Sequence, residues 1–392
     1  MASKVFPNPC RIVSLDGGGI YGLYTALLLK KLCKQDKNFL TKDQVWMFAG
    51  TSSGGVNALL LAKYDNPREA VLSGELERFW EEDGVYINTN PWKQMTSMCG
   101  ITSVFGTEDY LSVLEKYFGD LKLSDLKQRV LITTFNWAGS DAIPPKERHM
   151  KPKVFYNFPE EEADREEYVR DVGFSTGAPP AWRTIYRGMQ DGGLYAPNPS
   201  VCAIAKAAEC AHKVLETMKD EKDLPLCFHE AGLGHPPADF QHLQDDATEF
   251  AEILDDAMPN DILSNLNVLS LGCGQKKPFL PEKNADWGGL MWYTMPSNPM
   301  QNDWFPPMTS VALDGPEEIV SYQSAQLLNS KYFRLDPSVL TLPVMVALIW
   351  SVNPAMRAWV IDMIREGAKK KESRKAVTDA LDWLKATSWT HP

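Results

Sequence analysis

The sequence has no hydrophobic run long enough to cross a bilayer. The longest run, residues 339–352, spans 14 residues and contains Pro343, whereas a membrane-spanning helix needs about 20 apolar residues. The N-terminal segment also lacks an apolar region of signal-peptide length. These absences predict an intracellular, cytoplasmic protein. The 339–352 run is interpreted as a buried helix or as an interfacial segment.

The sequence also has no closely spaced cysteine pairs and no excess of basic residues. The 7 cysteines show no CxxC spacing, which favours reduced thiols over a disulfide framework. The net charge of -11 argues against non-specific binding to nucleic acid. His229, His235 and His242 match no metal-ligand spacing, and we therefore expect no metal and no other cofactor.

Short apolar strands alternate with helical patterns along much of the chain. The predicted strands occupy residues 11–15, 45–49, 130–134, 154–158 and 267–271. This alternation predicts an α/β fold with three layers, in which a mainly parallel central sheet carries helices on both faces. In such sheets ligands bind at the carboxyl ends of the strands, where the glycine-rich turns of this sequence also fall.

Other segments depart from the α/β pattern. A polar, acidic insertion at about 215–262 interrupts the domain predicted over 8–335, and a helical extension is predicted over 336–392. The aromatic-rich stretch 286–308 is interpreted as a lid, an acyl-binding wall or ordinary core packing. A basic cluster in the extension is interpreted as a solvated face or a membrane-surface patch. Its members are Arg365, Lys369, Lys370, Lys371, Arg374 and Lys375.

Residues 50–54, Gly-Thr-Ser-Ser-Gly, match the G-x-S-x-G pattern of a nucleophile elbow. In an elbow the serine lies on a sharp strand-to-helix turn, where side chains two residues away would clash, so Gly50 and Gly54 are needed. The turn holds the Ser52 hydroxyl at a helix N-terminus, which stabilises developing negative charge. The pattern is short, but its position between an apolar strand and an apolar helix favours a nucleophilic serine.

A run of glycines, Gly17, Gly18 and Gly19, follows Asp16, and Gly22 comes shortly after it. Glycines at the start of a helix leave backbone N–H groups free to bind an anion. For acyl transfer this loop would form an oxyanion hole, and the alternative is a phosphate-binding loop. A dinucleotide site is disfavoured because no suitable acidic residue follows a second strand.

A third glycine-containing motif is Asp191-Gly192-Gly193. An aspartate followed by two glycines forms a tight loop that can approach another loop closely, although this pattern alone is typical of an ordinary turn. A base for Ser52 must be an acceptor within hydrogen-bond reach. Asp191 is therefore a candidate base only in combination with the other two motifs.

The order of these three motifs resembles that of the patatin-like phospholipases. The similarity includes Ser-Thr-Gly-Ala-Pro-Pro at 175–180, Asn198-Pro199, and Leu-Ser-Leu-Gly-Cys-Gly at 269–274. It covers about residues 10–275 and extends to 332–334. Two positions differ from the common pattern of the family, namely Tyr21, where a basic residue is frequent, and Cys273, where threonine is common.

The resemblance implies a patatin-like three-layer fold and a lipid acyl hydrolase with a Ser–Asp dyad, without histidine or metal. Ser52 would attack the ester carbonyl, and Asp191 would accept its proton and later activate water. Backbone N–H groups at 17–19 would hold the oxyanion. The remaining motif residues, Asp16, Gly22, Gly50, Gly54, Gly192 and Gly193, would support these loops. We expect a lipid substrate, transient contact with membrane surfaces, and no nucleic-acid partner.

Three alternatives stay open from the sequence. The first is a Ser–Asp/Glu–His triad on an α/β-hydrolase fold, whose histidine would be one of His212, His229, His235 and His242. The second is a non-catalytic lipid-binding module on the patatin-like fold. The third is an acyltransferase that uses the same acyl-enzyme.

Overall fold

The computed structural model describes residues 9–83, 103–137, 144, 146–159, 161–180, 182–219, 263–277, 286–294, 307–342, 347 and 353–389. The strands are β1 (Cys10–Leu15), β2 (Met47–Thr51), β3 (Arg129–Asn136), β4 (Lys151–Tyr156), β5 (Met189–Asp191), β6 (Leu266–Leu271) and β7 (Tyr332–Leu335). The helices of the first half are α1 (Gly22–Gln35), α2 (Ser53–Ala62), α3 (Pro67–Leu72), α4 (Glu75–Arg78), α5 (Thr107–Phe118), α6 (Glu162–Arg165) and α7 (Val169–Thr176). They are followed by α8 (Ser200–Lys219), α9 (Gly289–Thr294), α10 (Pro307–Leu328), α11 (Pro354–Lys369) and α12 (Lys371–Ala386).

The described strands form one seven-stranded sheet in the order β4-β3-β2-β1-β6-β7, and β5 also pairs with β3. Strand β1 lies parallel to β2 and β6, while β2 is parallel to β3, and β6 to β7. Strands β4 and β5 pair with β3 in the antiparallel sense. The mainly parallel sheet expected from the sequence is therefore confirmed. Every residue of β2 and β6 is buried, as is usual for parallel strands covered on both faces.

Helices cover both faces of this sheet and give it three layers. Alternate residues of β1 belong to two separate apolar clusters, because successive side chains of a strand point to opposite faces. Val13 lies in the cluster beneath α1 and α2, whereas Ile12 lies in the cluster that includes Ala203 and Ala207 of α8. The three-layer α/β/α arrangement agrees with the expectation from the sequence.

Some strand boundaries differ from the sequence prediction. The second strand begins at Met47 instead of residue 45 and continues to Thr51, so it ends immediately before Ser52. The strands β5 and β7 have 3 and 4 residues. Strands this short carry too little alternation for a periodicity argument, which is why the sequence did not predict β5.

The C-terminal helices pack onto the same core as the rest of the chain. Ile364 of α11, Leu384 of α12 and Trp389 are buried in the cluster that contains α1 and α2. A hydrogen bond of 2.8 Å joins the hydroxyls of Tyr24 and Ser373. Several residues of the predicted basic cluster are exposed, and Arg365 pairs with Glu81 at 2.8 Å. The extension therefore helps to hold α1, the helix that follows the glycine-rich loop.

Several sequence predictions concern residues outside the described ones. They include the 215–262 insertion from residue 220 onward, Trp304 and Phe305 of the aromatic stretch, and most of the 339–352 run. In the described part of the chain, no helix is both long enough and apolar enough to cross a membrane.

Candidate active site

Ser52 lies on a sharp turn between β2 and α2. Its backbone has φ 54° and ψ −123°, a left-handed conformation that costs a non-glycine residue about 1–3 kcal/mol. A Cβ on Gly50 would lie 2.4 Å from the Gly54 carbonyl oxygen, and one on Gly54 would lie 2.1 Å from that of Leu15. Both glycines are therefore required by close backbone packing, and the turn has the geometry that the G-x-S-x-G spacing predicts.

The glycine-rich loop after β1 passes beside this turn. A Cβ on Gly17 would lie 3.2 Å from Cβ of Ser52, which places the loop against the serine. Gly18 is extended and packs on Cys273, whereas Gly19 has φ +52° and begins a short 3-10 turn. The loop therefore lies directly against the turn that carries Ser52.

One of the three predicted oxyanion donors is already occupied. The N–H of Gly17 donates to the carbonyl of Pro197 at 2.9 Å, so it is not available to an oxyanion. The expectation of three donors is corrected on this point, because the sequence alone could not place Pro197 beside the loop. Gly18 and Gly19 remain the candidate donors. Gly22 has a packing role, because a Cβ there would lie 2.6 Å from the Trp80 ring.

Asp191 ends β5 and is held close to the serine. Its backbone N–H donates to the carbonyl of Ala178 at 3.1 Å. Its carboxylate accepts the N–H of Gly193 at 2.7 Å and also interacts with the hydroxyl of Ser52. Gly192 has no room for a side chain, since a Cβ would lie 2.2 Å from Oγ1 of Thr133.

The environment of Asp191 changes its acidity. Burial raises the pKa of this carboxyl from 3.8 to about 7, and hydrogen bonding from Ser52 and from the Gly193 N–H opposes the rise. A general base is most effective when its pKa lies near the working pH. The raised pKa of Asp191 therefore lies in the range that suits a general base at neutral pH.

A partly buried cluster of charges lies beneath the glycine-rich loop. The guanidinium of Arg334 pairs with Asp16 at 2.6 Å, with Glu317 at 2.7 Å and with Asp336 at 2.9 Å. Burial lowers the pKa of Arg334, but the three carboxylates outweigh it and raise that pKa well above its usual value. Lys277, 2.6 Å from Glu317, adds a second positive charge. The cluster joins the first residue of the Asp-Gly-Gly-Gly motif to β7 and α10.

Sequence reasoning missed the roles of Arg334 and Thr176. Both fall in stretches that resemble the patatin-like family, but their contacts cannot be read from the sequence. Thr176 Oγ1 accepts the backbone N–H of Ser52 at 2.8 Å. Among the histidines considered as alternative bases, His212 is exposed on α8. The other three lie outside the described residues.

Comparisons with known proteins identify similar sequences. Residues 13–201 match the family model described as patatin-like phospholipase, a segment that contains all three motifs. CotR of Bacillus subtilis (strain 168) is 26% identical over 334 residues, which cover 84% of this chain and 87% of CotR. Patatin-like protein 2 of Oryza sativa subsp. indica is 24% identical and covers 80% of this chain and 73% of that protein. A cGAMP-activated phospholipase of Pseudomonas aeruginosa (strain BWHPSA011 / Pa011) is 28% identical over 48% of this chain and 54% of its own length.

Proposed function

The chain carries a patatin-like phospholipase domain, and on that premise we propose that it is a serine hydrolase that cleaves acyl esters of phospholipids or related glycerolipids. Ser52 is the nucleophile and Asp191 is its general base. The observation that carries the proposal is the buried Asp191 carboxyl, which has a pKa of about 7 and interacts with the hydroxyl of a serine on a strained turn.

The reaction proceeds through an acyl-enzyme in two halves. In the first half, Asp191 takes the hydroxyl proton while Ser52 Oγ bonds to the ester carbonyl carbon. Collapse of the tetrahedral intermediate expels the lipid alcohol, which receives the proton from Asp191. In the second half, Asp191 deprotonates a water molecule that attacks the acyl-enzyme. Release of the fatty acid returns the proton to Ser52 Oγ and leaves Asp191 ionised.

The negative charge that develops on the carbonyl oxygen is held by the backbone N–H groups of Gly18 and Gly19. A single donor of this kind is worth about 2.7–4 kcal/mol of transition-state stabilisation. The N-terminus of α2, where Ser52 lies, adds a favourable dipole. The Asp16–Arg334 ion pair fixes the start of the glycine loop, so that the donors do not have to reorganise during the reaction.

We further propose that the protein is cytoplasmic and contacts membranes transiently to reach its substrate. Support for the membrane contact comes from the aromatic-rich stretch, where Leu290 is 74% exposed and Tyr293 is 66% exposed. Such side chains insert readily at a lipid–water interface. Replacing both residues by serine should weaken sedimentation with phosphatidylcholine vesicles, and unchanged sedimentation would remove this part of the proposal.

A fluorophosphonate probe tests the nucleophile directly, because it forms a stable adduct with an activated serine. The neighbouring Ser53 offers a matched control, since its hydroxyl is buried and has no hydrogen-bond partner. Peptide mapping should find the adduct on Ser52 in the wild type and in Ser53→Ala, and none in Ser52→Ala. Asp191→Asn should react much more slowly. An adduct on another residue, or full reaction of Ser52→Ala, would contradict the proposal.

A further inference from the structure

Three buried threonines connect the turn that carries Ser52 to the loop that carries Asp191. Thr51, Thr133 and Thr176 are each fully buried, and they come from β2, β3 and the end of α7. The hydroxyls of Thr51 and Thr133 lie 2.7 Å apart. Buried hydroxyl groups need hydrogen-bond partners, and each of the three has one: Thr51 and Thr133 bind each other, and Thr176 binds the backbone carbonyl of Thr133.

The direction of every bond in this path can be assigned. Thr51 Oγ1 donates its single proton to the carbonyl of Ala196 at 2.6 Å. Because a hydroxyl has only one proton to donate, Thr133 must donate to Thr51. Thr176 Oγ1 donates to the carbonyl of Thr133 at 2.8 Å and accepts the N–H of Ser52 at 2.8 Å. The path therefore runs from the amide of the nucleophile to the carbonyl of Ala196, and it passes through Thr133, whose backbone carbonyl and side-chain hydroxyl make the two central bonds.

The two ends of this path are the two catalytic loops. The N–H of Ser52 belongs to a residue with positive φ, whose amide is satisfied by the Thr176 hydroxyl. Ala196 closes the turn that follows Asp191, because its own N–H donates to the carbonyl of Gly192 at 2.9 Å. A shift of either loop would therefore stretch a hydrogen bond in the path.

The segment after α7 makes a second connection between the same loops. Ala178, two residues beyond Thr176, accepts the backbone N–H of Asp191 at 3.1 Å. The local sequence also makes room for the threonine, since a Cβ on Gly55 would lie 2.8 Å from Cγ2 of Thr176. The backbone N–H groups of Ser52 and Asp191 are thus both bound by the short segment 176–178.

We propose that the hydroxyls of Thr51, Thr133 and Thr176 form a hydrogen-bond relay that sets the distance between Ser52 and Asp191. The three are positioning residues, which act through the backbone of the two loops, and this role rests on the proposed function. Small displacements of reacting groups cost rate steeply, by up to about 100-fold for 1 Å. The relay therefore acts on the chemical step and not on lipid binding.

Kinetics of threonine variants test the relay. Thr176→Val keeps the shape and removes the hydroxyl, and Thr51→Val breaks the opposite end. Both should lower kcat by about 10- to 100-fold with KM little changed, and Thr176→Ser should restore most of the rate. The matched control is Thr25→Val, which removes a buried hydroxyl that donates to the Gly272 carbonyl at 3.2 Å and should keep wild-type kcat. Wild-type kcat in Thr176→Val or Thr51→Val, or an equal loss in Thr25→Val, would overturn the relay.

Amide hydrogen exchange at Ser52 separates failure of the relay from failure of the proposed function. An inactive wild type that does not react with fluorophosphonate would refute the function alone. In that case the relay is judged by exchange of the Ser52 N–H, measured with residue resolution by fragmentation mass spectrometry. Thr176→Val should speed this exchange at least about tenfold relative to the wild type, because the amide loses its acceptor. Unchanged exchange in Thr176→Val would overturn the relay whatever the activity.

Discussion

Replacing Asp191 by asparagine should stabilise the folded protein while it removes activity, and the stabilisation should grow with pH. Asp191 is 4% exposed, and burial raises its pKa to about 7. An aspartate in the unfolded chain titrates near 3.9. The folded state therefore holds the proton more tightly. The stability that this gives is fully present below about pH 4 and is lost as the pH rises through about 7.

The size of the effect follows from the difference between the two pKa values. Each pKa unit is worth 1.36 kcal/mol, so a difference of about 3 units corresponds to about 4 kcal/mol. Asparagine stays neutral at every pH. The free energy of unfolding of Asp191→Asn minus that of the wild type should therefore increase by up to about 4 kcal/mol between about pH 4 and about pH 8.

Urea denaturation at a series of pH values measures this difference. All other titrating groups are common to both proteins and cancel in the comparison. Asp382→Asn is the control, because it makes the same chemical change at a side chain that is 70% exposed. A difference for Asp191→Asn that is independent of pH would show that Asp191 keeps an ordinary pKa. The argument for Asp191 as a base at neutral pH would then fail.

Three further predictions concern the same site. The wild-type kcat/KM should fall about tenfold per pH unit below about pH 7 as Asp191 becomes protonated, and a pH profile that stays flat down to about pH 5 would count against it. Gly54→Ala should prevent folding or remove activity, whereas Gly289→Ala, whose Cβ meets nothing within 4 Å, should be tolerated. Circular dichroism and esterase assays distinguish these outcomes, and an active Gly54→Ala would contradict the elbow geometry. Arg334→Met should cost about 3–5 kcal/mol in urea denaturation, because it leaves the buried Asp16 carboxylate without a cation, whereas Glu317 keeps Lys277. A loss below about 1 kcal/mol would show that the cluster is not needed for stability.

The turn that carries Ser52, directly after β2, could be predicted from the sequence. Ser52 and its glycines lie within five consecutive residues, and the conformation that they need is a local property of the backbone. The parallel arrangement of β1, β2 and β3 was likewise predictable from alternating strands and helices. In these cases the residues that determine the structure lie within short stretches of sequence.

The contacts between loops could not be predicted in the same way. Thr51 and Thr133 are 82 positions apart, and Ser52 and Thr176 are 124 positions apart. Threonine is also a common residue of buried strands, so nothing in a single sequence distinguishes a bridging hydroxyl from ordinary packing. The hydrogen bond from the Gly17 N–H to Pro197 could not be predicted for the same reason, because it depends on where the turn after Asp191 returns to the sheet.

The pKa of Asp191 likewise depends on burial that its local sequence does not reveal. Asp-Gly-Gly is typical of exposed turns, yet here it follows a strand of 3 residues that carries the carboxyl into the interior. The antiparallel pairing of Asp191 with Thr134 fixes that depth. The sequence therefore identified the residue as a candidate, and the fold supplies the burial that raises its pKa, on which the proposed role as a base depends.

The most direct test of the account is the initial rate of lipid ester hydrolysis by the wild type, Asp191→Asn and a variant in which His212, His229, His235 and His242 are all glutamine. The substrates are phospholipid, lysophospholipid, galactolipid and triacylglycerol. We predict that hydrolysis is lost in Asp191→Asn and retained in the variant without these histidines. Hydrolysis that survives in Asp191→Asn but is lost without the histidines would contradict the Ser52–Asp191 dyad and would assign the base to a histidine.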